Sequence, residues 1–227
     1  MRKTVVKLSS LSKKFFMAFA GLFLISFLVV HLGINLFILP ITADHELIFA
    51  DAVHFMTTNP LIKVMEVVLF GGLLLHAILG IILQLQNWNA RPVGYKVSQK
   101  SQVYSPFTRF MIHTGVIIFL FLIIHFMNFY FVKLGWTDPP QGVYPIAGQH
   151  DFYNMALNLF ANPAYCILYI VLILGLGFHL HHAFQSAFQS LGLNHPTYTP
   201  VIKVVGTIYS VLVTLGFISI PLYFLFA

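Results

Sequence analysis

The chain of 227 residues is 59% hydrophobic and only 8% charged, against roughly 25% charged in a soluble domain, so it cannot cover a water-soluble surface and reads as an integral membrane protein. Its formal net charge is +6, from twelve cations and six carboxylates, and it carries eleven histidines. The single cysteine, Cys166, excludes a disulfide framework, a cysteine-ligated iron–sulfur cluster and covalent haem attachment.

A basic start (Arg2, Lys3, Lys7, Lys13, Lys14) leads into an apolar run over Phe15–Leu39. The run is too long for the apolar core of a signal peptide, and no small-x-small cleavage site follows, so it is expected to remain as a first membrane span. Further runs at Leu61–Gln86, Phe107–Leu134, Pro163–Ser190 and Ile202–Phe226 are long enough to cross a bilayer, which takes roughly 20 apolar residues. Pro40, Pro60, Pro106, Pro163 and Pro200 stand at the boundaries, where proline starts or stops helices. The predicted fold is all-α, one transmembrane domain over residues 1–227 with five spans. The connections after the first and third spans are longer. Each holds an apolar segment, about His45–Met56 and His150–Phe160, suited to a helix at the interface.

Positive charge gathers at the N-terminus and between the second and third spans (Arg91, Lys96, Lys100, Arg109), with Lys203 between the fourth and fifth. The positive-inside rule therefore places the N-terminus in the cytoplasm and the C-terminus on the far side. The basic rim faces either anionic lipid or a cytoplasmic protein partner. No nucleic-acid partner is expected.

The sequence repeats internally. G-L-F-L-I-S-F-L-V-V-H runs from Gly21 to His31, and G-V-I-I-F-L-F-L-I-I-H from Gly115 to His125, with Asn35 and Asn128 soon after. Asn59-Pro60 opens the second span and Asn162-Pro163 the fourth, with His76 and His179 at the same spacing behind their prolines. Spans one and two thus form a hairpin that spans three and four repeat. A pseudo-two-fold axis along the membrane normal carries His31 onto His125 and His76 onto His179, at two depths roughly 10 Å apart. Imidazole at membrane depth is expensive without a partner. Two histidines facing each other at one level can hold a haem iron from both sides, and two such levels hold two haems. Gly71, Gly72, Gly80, Gly115, Gly175 and Gly177 either clear room beside the rings or serve helix packing.

Other candidates are more ambiguous. His113 lies four residues after Arg109, and both suit either a haem propionate or the membrane interface. His182, one turn beyond His179, is a rival ligand or a contact to propionate or quinone. His181 projects to another face. Glu66, the carboxylate inside the second span, either pairs with Lys63 as an ordinary surface ion pair or exchanges protons with a quinone near the outer haem.

V-V-H-L-G-I-N around His31, L-L-L-H-A-I-L-G around His76, M-I-H-T-G leading to I-I-H at His125, and F-H-L-H-H-A-F-Q-S-A-F-Q-S-L-G from Phe178 to Gly192 form an ordered set. The set resembles the five-helix, two-haem cytochrome b subunit of succinate dehydrogenases and menaquinol:fumarate reductases, over essentially the whole chain. The resemblance implies a subunit of an oxidoreductase in the cytoplasmic (inner) membrane. It would anchor a flavoprotein and an iron–sulfur protein on the cytoplasmic face and relay electrons between the latter and a quinone, usually menaquinone. The succinate site would lie on a partner. The resemblance also implies two haem b as cofactors, the inner one ligated by His76 and His179 and the outer one by His31 and His125, with Glu66 near a quinone-linked acid. Some fumarate reductases carry a glutamate two residues before the fourth-span ligand, for a proton path. Here Gly177 stands there, and that path is not expected. The rival readings are the cytochrome anchor of a hydrogenase or formate dehydrogenase, and a haem-free histidine-bearing proton or metal transporter.

Overall fold

The computed structural model describes residues 9–89 and 110–227. Arg109 and the neighbouring cations Arg91, Lys96 and Lys100 lie outside the described residues, as do Arg2, Lys3 and Lys7. The protein is an all-α integral membrane protein. Among the described residues five helices are long and apolar enough to cross a bilayer.

Side-chain caps mark the starts of the first, second and fourth spans. The first span is Ser10–Asn35, prolonged by a 3₁₀ turn at Leu36–Ile38. It begins ahead of the apolar run because Ser9 Oγ accepts from the Ser12 N–H at 3.0 Å. The second span is Pro60–Asn89 and the fourth Pro163–Ser190. Their repeated Asn-Pro openings act alike. Asn59 Oδ1 accepts from the Leu61 N–H at 2.9 Å, Asn162 Oδ1 from the Ala164 N–H at 3.0 Å, and each proline fills the first helical position. The fifth span is Tyr198–Phe226, starting before Ile202 because Pro200 is tolerated in a first turn.

The third span, Met111–Lys133, is not uniform. It is α-helical to His125, π-helical over Phe126–Tyr130 and α-helical again over Phe131–Lys133. Gly135 closes it at φ +70°, which lets the Trp136 N–H reach back to Phe131 O at 2.8 Å.

The first four spans form a ring in which first meets second, third meets fourth and fourth meets first. The second and third touch more sparingly. The first and third, and the second and fourth, lie across the diagonals. The fifth span packs on the fourth and reaches the first, covering the seam between them. Two short helices, His45–Thr58 and Phe152–Phe160, lie together at one end, referred to below as the capped end. Tyr153 Oη donates to Glu46 across them at 3.1 Å. Burial, and then the Glu46 carboxylate, push the Tyr153 phenol above its ordinary pKa. Phe49, Leu159, Phe160, Cys166, Tyr169 and Ile220 fill the core beneath, and Ile25, Leu176, Leu180 and Val213 fill the middle of the bundle. Few side chains of the second and third spans are fully buried, as in helices facing lipid.

Candidate functional site

Two histidine pairs meet across the two diagonals of the ring. His31 of the first span and His125 of the third face each other near the capped end, with ring centroids 5.8 Å apart and planes at 90°. His76 of the second span and His179 of the fourth face each other deeper, at 6.3 Å and 75°. Gly21, against His76, precedes His31 by ten residues on one helix. At 1.5 Å per residue the levels stand about 15 Å apart, further than the roughly 10 Å read from sequence.

The surroundings obey the repeat. Phe27 stacks on His31 at 5.1 Å and Phe121 on His125 at 5.6 Å, each one turn before its histidine. At the deeper level, a Cβ on Gly21 would stand 3.3 Å from His76 Cε1, and one on Gly115 would stand 3.9 Å from His179 Cε1. His76 Nδ1 donates to Met17 O at 3.4 Å, and His179 Nδ1 lies 3.1 Å from Thr114 Oγ1. Near the capped end, the Asn35 amide nitrogen donates to His31 O at 2.7 Å and lies 3.4 Å from His31 Nδ1. His125 Nδ1 is buried with no hydrogen-bond partner.

Such pairs suit a particular metal chemistry. Nitrogen–metal bonds of about 2 Å on opposite sides of one ion set two imidazole centroids roughly 6.4 Å apart. The deeper pair, at 6.3 Å, already has that spacing, and the other, at 5.8 Å, needs a small separation. Among the described residues no three His, Cys, Asp or Glu side chains converge on one point. A bare zinc site takes three or four protein ligands, whereas an iron held by a macrocycle takes one or two axial ones. Two facing histidines at each level match the two axial positions of a macrocycle-held iron.

The other sequence candidates are scattered. His182 lies in a small recess of about 200 Å³ with Phe110, Thr114 and Phe178, next to the deeper pair. His181 turns toward the fifth span, its Nδ1 3.4 Å from Thr207 Oγ1. His113 is exposed with its ring against Phe110 at 5.7 Å, and neither histidine pair is brought to it.

Glu66 does not pair with Lys63. Its carboxylate takes Lys133 Nζ at 2.8 and 3.0 Å and accepts from Tyr130 Oη at 2.7 Å, both from the third span. Lys133 Nζ also sits 5.2 Å over the Tyr130 ring. The π-helix is the cause. Its wider turn shifts the phase of everything after His125 and aims Tyr130 and Lys133 at the second span. This cluster lines a groove of about 860 Å³ where the second and third spans part, with Lys63, Gly71 and His150 also on its walls. Sequence reasoning missed Tyr130, Lys133 and Thr114. The available signal was the repeat itself, which slips by one residue here, because Asn35 follows His31 by four positions and Asn128 follows His125 by three.

Comparison of the chain with protein-family models, with curated proteins and with solved structures finds no match.

Proposed function

We propose that the protein is the two-haem cytochrome b anchor of a succinate:quinone oxidoreductase-type complex. The observation that carries this reading is the two repeat-related histidine pairs, facing each other across the diagonals of the bundle at two depths. Haem bound at both levels would supply one-electron carriage between the two sides of the membrane. His76 and His179 would hold the inner group, His31 and His125 the outer, and Phe27 and Phe121 fix the outer rings. The chain's own acid–base chemistry lies in the groove. Glu66, held by Lys133 and Tyr130, would exchange protons with a quinone in the groove beside it, with menaquinone favoured by the resemblance. By the positive-inside rule, the basic residues of the N-terminus and of the second-to-third connection support a cytoplasmic position for that end, where the flavoprotein and iron–sulfur subunits would dock, and the resemblance implies an inner membrane.

A reduced-minus-oxidised visible spectrum and haem stoichiometry of the purified protein test the reading. Two b-type haems per chain are expected. Replacing His31, His76, His125 or His179 by Ala removes one of the two in each case, and His181→Ala removes none. Absence of a b-type α-band, or retention of both haems in His179→Ala, refutes the ligand assignment. Co-purified flavoprotein and iron–sulfur subunits with succinate activity separate this anchor from a hydrogenase or formate dehydrogenase one.

A further inference from the structure

The polar neighbours of both histidines of the deeper pair favour the same tautomer. A backbone carbonyl only accepts. Met17 O, 3.4 Å from His76 Nδ1, therefore puts the ring proton of His76 on Nδ1. His179 reaches the same state by another route. Thr114 Oγ1 lies 3.1 Å from His179 Nδ1 and donates to Met111 O at 2.9 Å. A hydroxyl has one proton to give, and Met111 O can only take it. With its proton on Met111 O, the hydroxyl accepts from His179, an arrangement in which Nδ1 again carries the proton and Nε2 keeps its lone pair. Met17 and Met111 are repeat partners, standing the same distance ahead of Gly21 and Gly115. The two halves thus use equivalent carbonyls, one directly and one through a hydroxyl. Near the capped end nothing comparable acts, since His31 Nδ1 faces an amide donor and His125 Nδ1 has no partner.

We propose that Thr114 is the positioning residue of His179. Its hydroxyl transmits the hold of the Met111 carbonyl to His179 Nδ1 and so fixes which nitrogen faces across the bundle and how strongly it donates. The proposal rests on the two-haem reading. A hydrogen bond to the distal N–H of a metal-ligating imidazole raises its basicity and locks its orientation. A stronger donor favours ferric over ferrous iron. The competing account is that Thr114 merely bonds the preceding turn of its own helix, as helical threonines do, without acting on His179.

The test is redox titration of the purified complex at the b-type α-band, together with its low-spin electron paramagnetic resonance spectrum. Thr114→Val keeps the shape and removes the hydroxyl, and Thr114→Ser keeps the hydroxyl. In Thr114→Val, one haem component, the one missing from His179→Ala, is expected to shift about tenfold toward ferrous, which is about 59 mV for a one-electron couple. The other component stays put, and Thr114→Ser titrates as the wild type. Selective loss of that same haem from Thr114→Val, with retention in Thr114→Ser, also supports the proposal. Unchanged potentials and spectra in Thr114→Val overturn it, as does an equal shift in Thr114→Ser. Failure of the two-haem reading appears elsewhere, as a wild-type protein lacking a b-type α-band, and takes the proposal with it.

Discussion

Gly21 and Gly115 are repeat partners, yet the structure gives them unequal room. A Cβ on Gly21 would stand 3.3 Å from His76 Cε1 and 3.5 Å from its Nδ1, while one on Gly115 would stand 3.9 Å from His179 Cε1. Alanine gains about 1 kcal/mol of helix propensity over glycine at either position. At Gly115 the gain is unopposed, because 3.9 Å is an ordinary contact. At Gly21 the imidazole must yield by a few tenths of an ångström. That stretches a bond to Met17 O which, at 3.4 Å, is already beyond the usual range for N–H to oxygen. Loss of such a partner lowers metal affinity 10- to 100-fold. Displacement without loss should fall at the lower end, about tenfold or roughly 1.4 kcal/mol. Gly21→Ala should therefore release one haem to excess apomyoglobin about tenfold more readily than wild type, and Gly115→Ala should retain both and melt slightly higher. Equal retention by the two variants, or earlier loss from Gly115→Ala, would refute the reasoning.

Lys133→Met strands the Glu66 carboxylate. With side chains 19% and 25% exposed the pair lies between a surface and a buried ion pair, so a loss of about 1–2 kcal/mol is expected. Adding Glu66→Gln should recover most of it in a double-mutant cycle of melting curves, and simple additivity would count against the pair. Gly71 lines the same groove, and a Cβ there meets nothing within 4 Å. Gly71→Leu should cut quinone-linked turnover at least tenfold with both haems retained, and normal turnover would remove the groove from the quinone reading. Gly177 abuts the Thr214 side chain, whereas a Cβ on Gly80 meets nothing within 4 Å. Gly177→Leu should thus cost about 1–3 kcal/mol by overpacking, and Gly80→Leu little, as read by thermal unfolding.

What was legible in the sequence was whatever a regular helix preserves. Five apolar runs, two Asn-Pro openings and two equal glycine-to-histidine spacings translate directly into spans, caps and facing pairs. The helix starts were less legible, because Ser9 extends the first span ahead of its apolar run and Pro200 fits inside the first turn of the fifth. The partner of Glu66 was illegible for a different reason. Lys63 is close in sequence and correctly spaced for an ion pair, but Lys133 becomes close only after the π-helix changes the phase of the third span. Thr114 was hidden because its role depends on where one proton goes, and that requires the positions of both Met111 O and His179 Nδ1.

The fifth span explains why the two halves are not used alike. A two-fold-related bundle has two equivalent seams, one between the first and fourth spans and one between the third and second. The fifth span closes the first of these. A Cβ on its Gly216 would stand 2.8 Å from the Leu32 side chain, and its Tyr209 Oη donates to Ile25 O at 2.7 Å. A single additional helix cannot cover both seams, and the second stays parted as the groove. Closing that seam for structure alone would call for small or apolar side chains, as at Gly216. Instead the repeat breaks there into a π-helix, and Glu66, Tyr130 and Lys133 gather near the ends of the second and third spans on the capped side. The asymmetry thus sets the open seam apart from the covered one, because only there, among the described residues, do an acid, a phenol and an ammonium line one groove.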